Sequence, residues 1–230
     1  MNVKVEYLSH SGYAVETDKI IMIFDYVNGI LPSKYLKSDK QCCFFITHHH
    51  SDHFSQSVFS YKKTVVMSDD IHLDAFFNVF KVHPGDMLVC DKISIKVFGS
   101  TDEGVSFLVS DGDVNVFHAG DLNNWHWKDE STREEVDFAQ KTFLDIVEKI
   151  TEYPIDIAMF PVDARMGSDF DLGARQFVDR CKPKHFFPMH FRSVDSLLPL
   201  QVYFKNFGEL HYYLPLRNNH SFDVIVSQGN

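Results

Sequence analysis

The sequence predicts a single layered α/β (α+β) domain across residues 1–230. Three observations lead to it. Two nearly unbroken apolar runs, KIIMIFDY at 19–26 and QCCFFIT at 41–47, have the length of strands covered on both faces. From residue 131 onward, helix and strand patterns alternate. No repeat of 20–50 residues and no low-complexity linker marks a second domain. With 44% hydrophobic residues, 23% charged residues and 22 Phe, the chain can bury a core with large packed interfaces between layers.

The elements follow in order. Val3–Leu8 alternates as a half-buried strand, Ser9-His10-Ser11-Gly12 turns, and Tyr13–Thr17 returns before the run at Lys19–Tyr26. Val27–Lys40 is polar, holds Gly29 and Pro32, and reads as a long loop. After the run at Gln41–Thr47 come a histidine-rich loop, a short amphipathic stretch and a strand at Thr64–Ser68. Residues 69–90 show no clear period. Lys92–Phe98, Val105–Ser110 and Val114–Ala119 are strands, the last two joined by the tight-turn signal Asp111-Gly112-Asp113. Ser131–Ile150 carries Val136, Ala139, Phe143, Ile146, Val147 and Ile150 at helical spacing, with Ser131 or Thr132 as cap. Strand Ile155–Phe160, helix Leu172–Cys181, strand His185–Met189 and a helical stretch Ser193–Phe207 interrupted by Pro199 follow. The tail is polar apart from Phe222–Val226.

The net charge of −10 and the lack of a Lys/Arg tract argue against a nucleic-acid groove, which must neutralise phosphates. A small-molecule substrate is expected instead. No secretory leader is visible, and no apolar run approaches the roughly 20 residues that cross a bilayer, so a cytoplasmic location with no membrane association is expected. Cys42, Cys43, Cys90 and Cys181 lack CxxC spacing and read as reduced thiols, the first two in a buried strand.

The chemistry lies in Thr47-His48-His49-His50-Ser51-Asp52-His53, directly after an apolar strand. Ligands in open α/β sheets gather at the carboxyl ends of strands. Imidazoles and a carboxylate suit Zn²⁺ first, and Mn, Fe or Ni as well. On a loop, positions i, i+2, i+4 and i+5 can converge on a pair of ions, as they cannot on a straight strand or one helix face.

His48-x-His50-x-Asp52-His53 resembles the HxHxDH signature of the metallo-β-lactamase superfamily. Two further elements come in that family's order: His118-Ala119-Gly120-Asp121 and Phe187-Pro188-Met189-His190. In form they are similar to the sugar-lactonase-like and phosphodiesterase-like branches. The resemblance covers roughly residues 3–192 and implies a four-layered αβ/βα sandwich with one or two divalent metal ions at one edge. It implies His48, His50, Asp52, His53, Asp121 and His190 as ligands, with Asp121 bridging a dinuclear site. It also implies a metallo-hydrolase using metal-activated water on an ester, lactone or phosphodiester, with Asp52 and Asp121 as the catalytic carboxylates. The family's remaining ligand, a His, is replaced by Ser100. His118, three residues from Asp121, is expected to stand in for it, with His126 as the alternative. Asp25 is expected to orient a ligand histidine. His10 is expected near the pocket, and Asp163 with Arg165 either at the substrate or as an ion pair. Trp125 and Trp127 are expected in the pocket wall or in packing. Two other readings remain: a nuclease or RNA-processing hydrolase, and a non-catalytic metal-binding or sensor protein, which Ser100 motivates.

Overall fold

The computed structural model describes residues 1–28, 31–73, 78–90, 92–205 and 207–227; Gly29 of the expected loop lies outside them, as do residues 74–77 of the 69–90 stretch. In chain order the elements are β1 (Asn2–Ser9), β2 (Gly12–Glu16), β3 (Ile20–Phe24), α1 (Ser33–Lys37), β4 (Gln41–Ile46), β5 (Thr64–Ser68), β6 (Val79–Val82) and β7 (Met87–Cys90). Then come β8 (Ile93–Gly99), β9 (Val105–Ser110), β10 (Asn115–His118), α2 (Arg133–Ile150), β11 (Ile157–Pro161) and α3 (Leu172–Cys181). The chain closes with β12 (His185–Met189), α4 (Leu198–Phe204), β13 (His211–Tyr212) and β14 (His220–Ile225).

The strands form two seven-stranded sheets, ordered β14-β1-β2-β3-β4-β5-β6 and β13-β12-β11-β10-β9-β8-β7. In the first, pairing is antiparallel from β14 to β3 and parallel from β3 to β6. In the second it is antiparallel from β7 to β10 and parallel from β10 to β13. The apolar runs behave as their composition requires. Ile20, Met22, Phe24, Cys43 and Phe45 join the core between the sheets, while Ile21, Ile23, Cys42, Phe44 and Ile46 pack outward against Tyr35 of α1 and Val58. Helices α2 and α3 cover the second sheet with Phe143, Val147, Phe177 and Val178. This is the expected αβ/βα layering.

Several details differ from the sequence reading. The loop at 27–40 contains α1, too short to show a period. Residues 69–90 contain the edge strands β6 and β7, whose outward Phe80, Met87 and Val89 are exposed and so break the alternation. Pro199 begins α4 rather than interrupting a longer helix, because the first turn tolerates a missing N–H. Turn and cap chemistry behaves as expected. Asp111 Oδ1 accepts the N–H groups of Asp113 and Val114. Thr132 and Glu135 close a reciprocal capping box on α2. Cys42 and Cys43 are buried free thiols, pushed up to about 11 and about 12 by burial. Among the described residues, no helix is long and apolar enough to cross a membrane.

His185 gives the fold a pH dependence away from the site. It is buried on β12, stacked on His211 and 3.0 Å from the Tyr213 hydroxyl. Burial, then the charge of His211, lowers it from 6.5 to about 4. The unfolded chain therefore binds this proton more readily than the folded chain, and stability present above about pH 6.5 is lost as pH falls toward about 4. Urea unfolding of chelator-treated protein at pH 7 and pH 5 should show a drop that His185→Gln reduces; an unchanged drop in the variant would mean that His185 titrates normally.

Candidate metal centre

The carboxyl ends of β3, β4, β10, β11 and β12 meet at one edge, and each delivers a polar side chain. Asp25 follows β3 with φ 41°, a left-handed conformation that Asp tolerates better than most residues. Its Oδ1 accepts the Thr47 N–H at 2.8 Å. Its Oδ2 accepts the Thr47 hydroxyl at 2.7 Å and the His53 Nδ1–H at 2.8 Å. Thr47 has only that one hydroxyl proton, so its oxygen accepts Nδ1–H from His48 at 3.0 Å. His190, after β12, gives its Nδ1–H to Asp163 Oδ2 at 3.1 Å. These bonds place the proton on Nδ1 of all three imidazoles and leave Nε2 facing the site, where that of His48 lies 3.0 Å from His50 Nδ1.

Those nitrogens converge on Asp121. Its Oδ2 lies 3.5 Å from His48 Nε2, and its Oδ1 lies 3.1 Å from His53 Nε2 and 3.6 Å from His190 Nε2. Two glycines allow this approach. A Cβ on Gly104 (φ 68°) would sit 2.0 Å from the Thr47 carbonyl oxygen and 2.6 Å from His48 Cβ. One on Gly120 (φ 55°) would meet Thr47 Cβ at 2.8 Å. With no side chain at either position, Val105 N–H reaches the Thr47 carbonyl at 2.9 Å and ties the second sheet to the histidine loop.

The side chains fall into two groups whose donor atoms lie within 4.8 Å of one another: His48, His50 and Asp121, and His10, Asp52, His53 and His190. Six of the expected ligands, His48, His50, Asp52, His53, Asp121 and His190, are thus brought together. His118 is not, which corrects its expected role. Its Nε2–H donates to the Ser11 carbonyl at 2.8 Å, its Nδ1 accepts the Gly120 N–H at 3.2 Å, and its ring stacks on Phe24, so no lone pair is left for an ion. His126 is engaged in the same way, by the Asp169 carbonyl and the Lys128 N–H. Ser100 accepts the Asp102 N–H and closes its own turn. The group around His48 therefore has three donors.

The donor set fits a divalent cation. His10 Nε2, His53 Nε2 and Asp121 Oδ1 are buried without a hydrogen-bond partner among the described residues, a costly arrangement unless something shares them. Burial opposes a charged His53, but the Asp121 and Asp25 carboxylates raise it to about 10. Burial would raise Asp121, but His53 and His190 hold it below the usual carboxylate range. Burial pushes His48 and His10 down to about 4, so both are neutral at pH 7.

Above the groups is a cavity of about 360 Å³ lined by Asp52, Asp102, Asp121, Trp125, Trp127 and Arg165, among others. The two Trp rings stack at 6.3 Å, and Trp125 Nε1–H donates to the Asp121 carbonyl at 2.7 Å. Arg165 is clamped on Asp163, which also holds His190; its Nη1 makes no hydrogen bond with the described residues. Sequence reasoning missed Asp102, two residues past Ser100. Burial and then Asp121 raise its pKa. The only signal for it was membership of the segment where a ligand was sought.

No family model matches the chain. A UPF0173 metal-dependent hydrolase of Nanoarchaeum equitans is 25% identical over 210 residues, covering 83% of this chain and 85% of that protein. Igni18, a metallo hydrolase of Ignicoccus hospitalis, superposes with a TM-score of 0.71 at 18% identity, over 99% of this chain and 100% of that one. The metallo-β-lactamase fold protein YhfI of Bacillus subtilis does so with 0.63 at 14%, over 97% and 99%. At these identities the structural likeness is one of architecture, and the architecture is the metallo-β-lactamase fold.

The dependence of His53 on Asp25 can be measured. Asp25→Asn keeps the shape and tolerates φ 41°, but its amide cannot accept all three hydrogen bonds. Zn²⁺ affinity, read by competition with a chromogenic chelator, should fall about 10–100-fold. Stability should fall by about 1–3 kcal/mol. Affinity equal to that of the parent would show that His53 is oriented by something else.

Proposed function

We propose that this chain is a metal-dependent hydrolase acting on a small ester, lactone or phosphodiester. The observation that carries the reading is the convergence of three Nε2 lone pairs, from His48, His53 and His190, on the buried Asp121 carboxylate beneath an open cavity. In this reading His48, His50 and Asp121 would hold one ion, and Asp52, His53 and His190, together with Asp121, would hold the other. Zn²⁺ is the ion best suited to these donors. The curated relatives named as metal-dependent hydrolases support the class.

When bound, such ions supply Lewis acidity and bring the pKa of water from about 16 toward 7. The chain's own residues do the rest. Asp52 has a half-exposed side chain held below the usual carboxylate range: burial would raise it, but His53 outweighs that. It faces the cavity as an ionised group able to take a proton. Trp125 and Trp127 offer a flat apolar wall. Arg165 Nη1 is available to an anionic oxygen, which favours a substrate with a negative charge near the scissile bond. The His48 group offers three protein donors, the number found in catalytic rather than structural zinc sites. That favours the enzyme over the non-catalytic sensor, even with Ser100 making no contribution. The location is expected to be cytoplasmic.

Hydrolysis of p-nitrophenyl acetate and bis-p-nitrophenyl phosphate tests the class. Any activity should vanish with chelator, return with Zn²⁺ or Mn²⁺, and fall at least about 100-fold in Asp121→Ala, more than the loss of a group behind a ligand. Activity indifferent to chelation would sink the mechanism. Arg165→Gln should raise KM for the phosphodiester about 10–100-fold, as expected for loss of a charge-assisted hydrogen bond, and leave KM for the neutral ester near that of the parent. Equal effects on both would remove Arg165 from anion binding.

A further inference from the structure

The β1–β2 turn brings His10 to the site from a part of the chain that carries none of the three ligand motifs. Gly12 makes the turn tight: a Cβ there would lie 3.0 Å from the carbonyl oxygens of both Asp25 and Ser9. His10 adopts φ 49°, and its carbonyl accepts the His190 N–H at 3.2 Å, so its backbone is fastened to the far sheet. Its ring centroid lies 4.4 Å from that of His190 and 5.7 Å from that of His53. Nε2 is buried without a hydrogen-bond partner among the described residues, although Asp52 Oδ2 is only 3.4 Å away.

A histidine placed to steady Asp52 would be expected to hydrogen-bond to it. His10 instead directs a bare nitrogen at the space shared with Asp52, His53 and His190, where one donor atom from each lies within 4.8 Å of the others. Donors on opposite sides of a divalent ion with bonds near 2.1 Å are at most about 4.2 Å apart, so a small contraction suffices. The two groups are then unequal. The one around His53 has four side chains, with Asp121 Oδ1 3.1 Å from His53 Nε2, whereas the one around His48 has only three, Asp121 included.

Building on the hydrolase reading above, we propose that His10 is a ligand of the ion held by Asp52, His53 and His190, and that this half of the pair fills first. With three side chains against four, the His48 half is the weak site, and the chain holds one tight ion and one loose one.

Titration of chelator-stripped protein with Co²⁺, followed by calorimetry and by the visible ligand-field spectrum, tests this without any substrate. The parent should show one tight and one weak step. His10→Gly keeps the turn's positive φ, as Gly adopts it freely, and His10→Asn is a second variant that tolerates it. Both should match the parent in far-UV circular dichroism. In both, the tight step should weaken at least about 10-fold, the lower end for groups that merely support a ligand. The Co²⁺ spectrum should change, and free imidazole should restore it in His10→Gly. His50→Ala should abolish the weak step alone. A first Co²⁺ bound by His10→Gly and His10→Asn with the parent's affinity and spectrum overturns the proposal and leaves the hydrolase reading standing, as does loss of the tight step in His50→Ala. Failure of the parent to bind Co²⁺ at all overturns both.

Discussion

A buried carboxylate behind the imidazoles governs this site. Asp25 is almost fully enclosed. Burial alone would raise its pKa, but His118 and His53 hold it below the usual carboxylate range, so it is an anion in the interior. A buried charge is tolerated only when fully compensated, and here the compensation comes from the Thr47 N–H, the Thr47 hydroxyl and the His53 ring. The bonds that make the charge tolerable are the bonds that aim His53, directly, and His48, through Thr47. Fold stability and imidazole orientation at this edge are one set of interactions.

Asp163 does the same for His190 from the second sheet, with Arg165 clamped on it from the cavity side. The two sheets are pinned together where these systems meet. Val105 bonds Thr47, His190 bonds His10, and the Tyr13 hydroxyl donates to the Pro188 carbonyl at 2.7 Å. His118 belongs to this framework. By donating to Ser11 and accepting from Gly120, it holds the β1–β2 turn against the segment that carries Asp121. A histidine so placed locks the geometry of the site and has no lone pair to offer an ion.

What was legible in the sequence follows from range. The runs at 19–26 and 41–47 announced doubly covered strands because every residue had an apolar neighbour, as the opposite packing of Ile21 and Met22 bears out. The histidine loop was legible because its imidazoles and carboxylate are contiguous; Asp121 and His190 were legible through resemblance to a known arrangement. The tautomer of His118 was not, since it depends on a carbonyl 107 residues away. Nor were β6 and β7, edge strands with large apolar side chains facing outward, where alternation carries no burial signal. A lone histidine in a turn, as His10 is, has no spacing pattern to read, and its expected place near the pocket came from resemblance alone.

The charge balance of the site sets the condition under which an acidic chain could receive the proposed anionic substrate. Asp25, Asp52, Asp121 and Asp163 crowd one edge of a protein with net charge −10, and the field they create repels anions while it lacks a cation. Between Asp121 and Asp25, His53 is raised to about 10. A divalent ion held at His53 would bring two positive charges among these carboxylates. The local field would then reverse. The carboxylates that make this edge negative are thus the groups that would gather a cation.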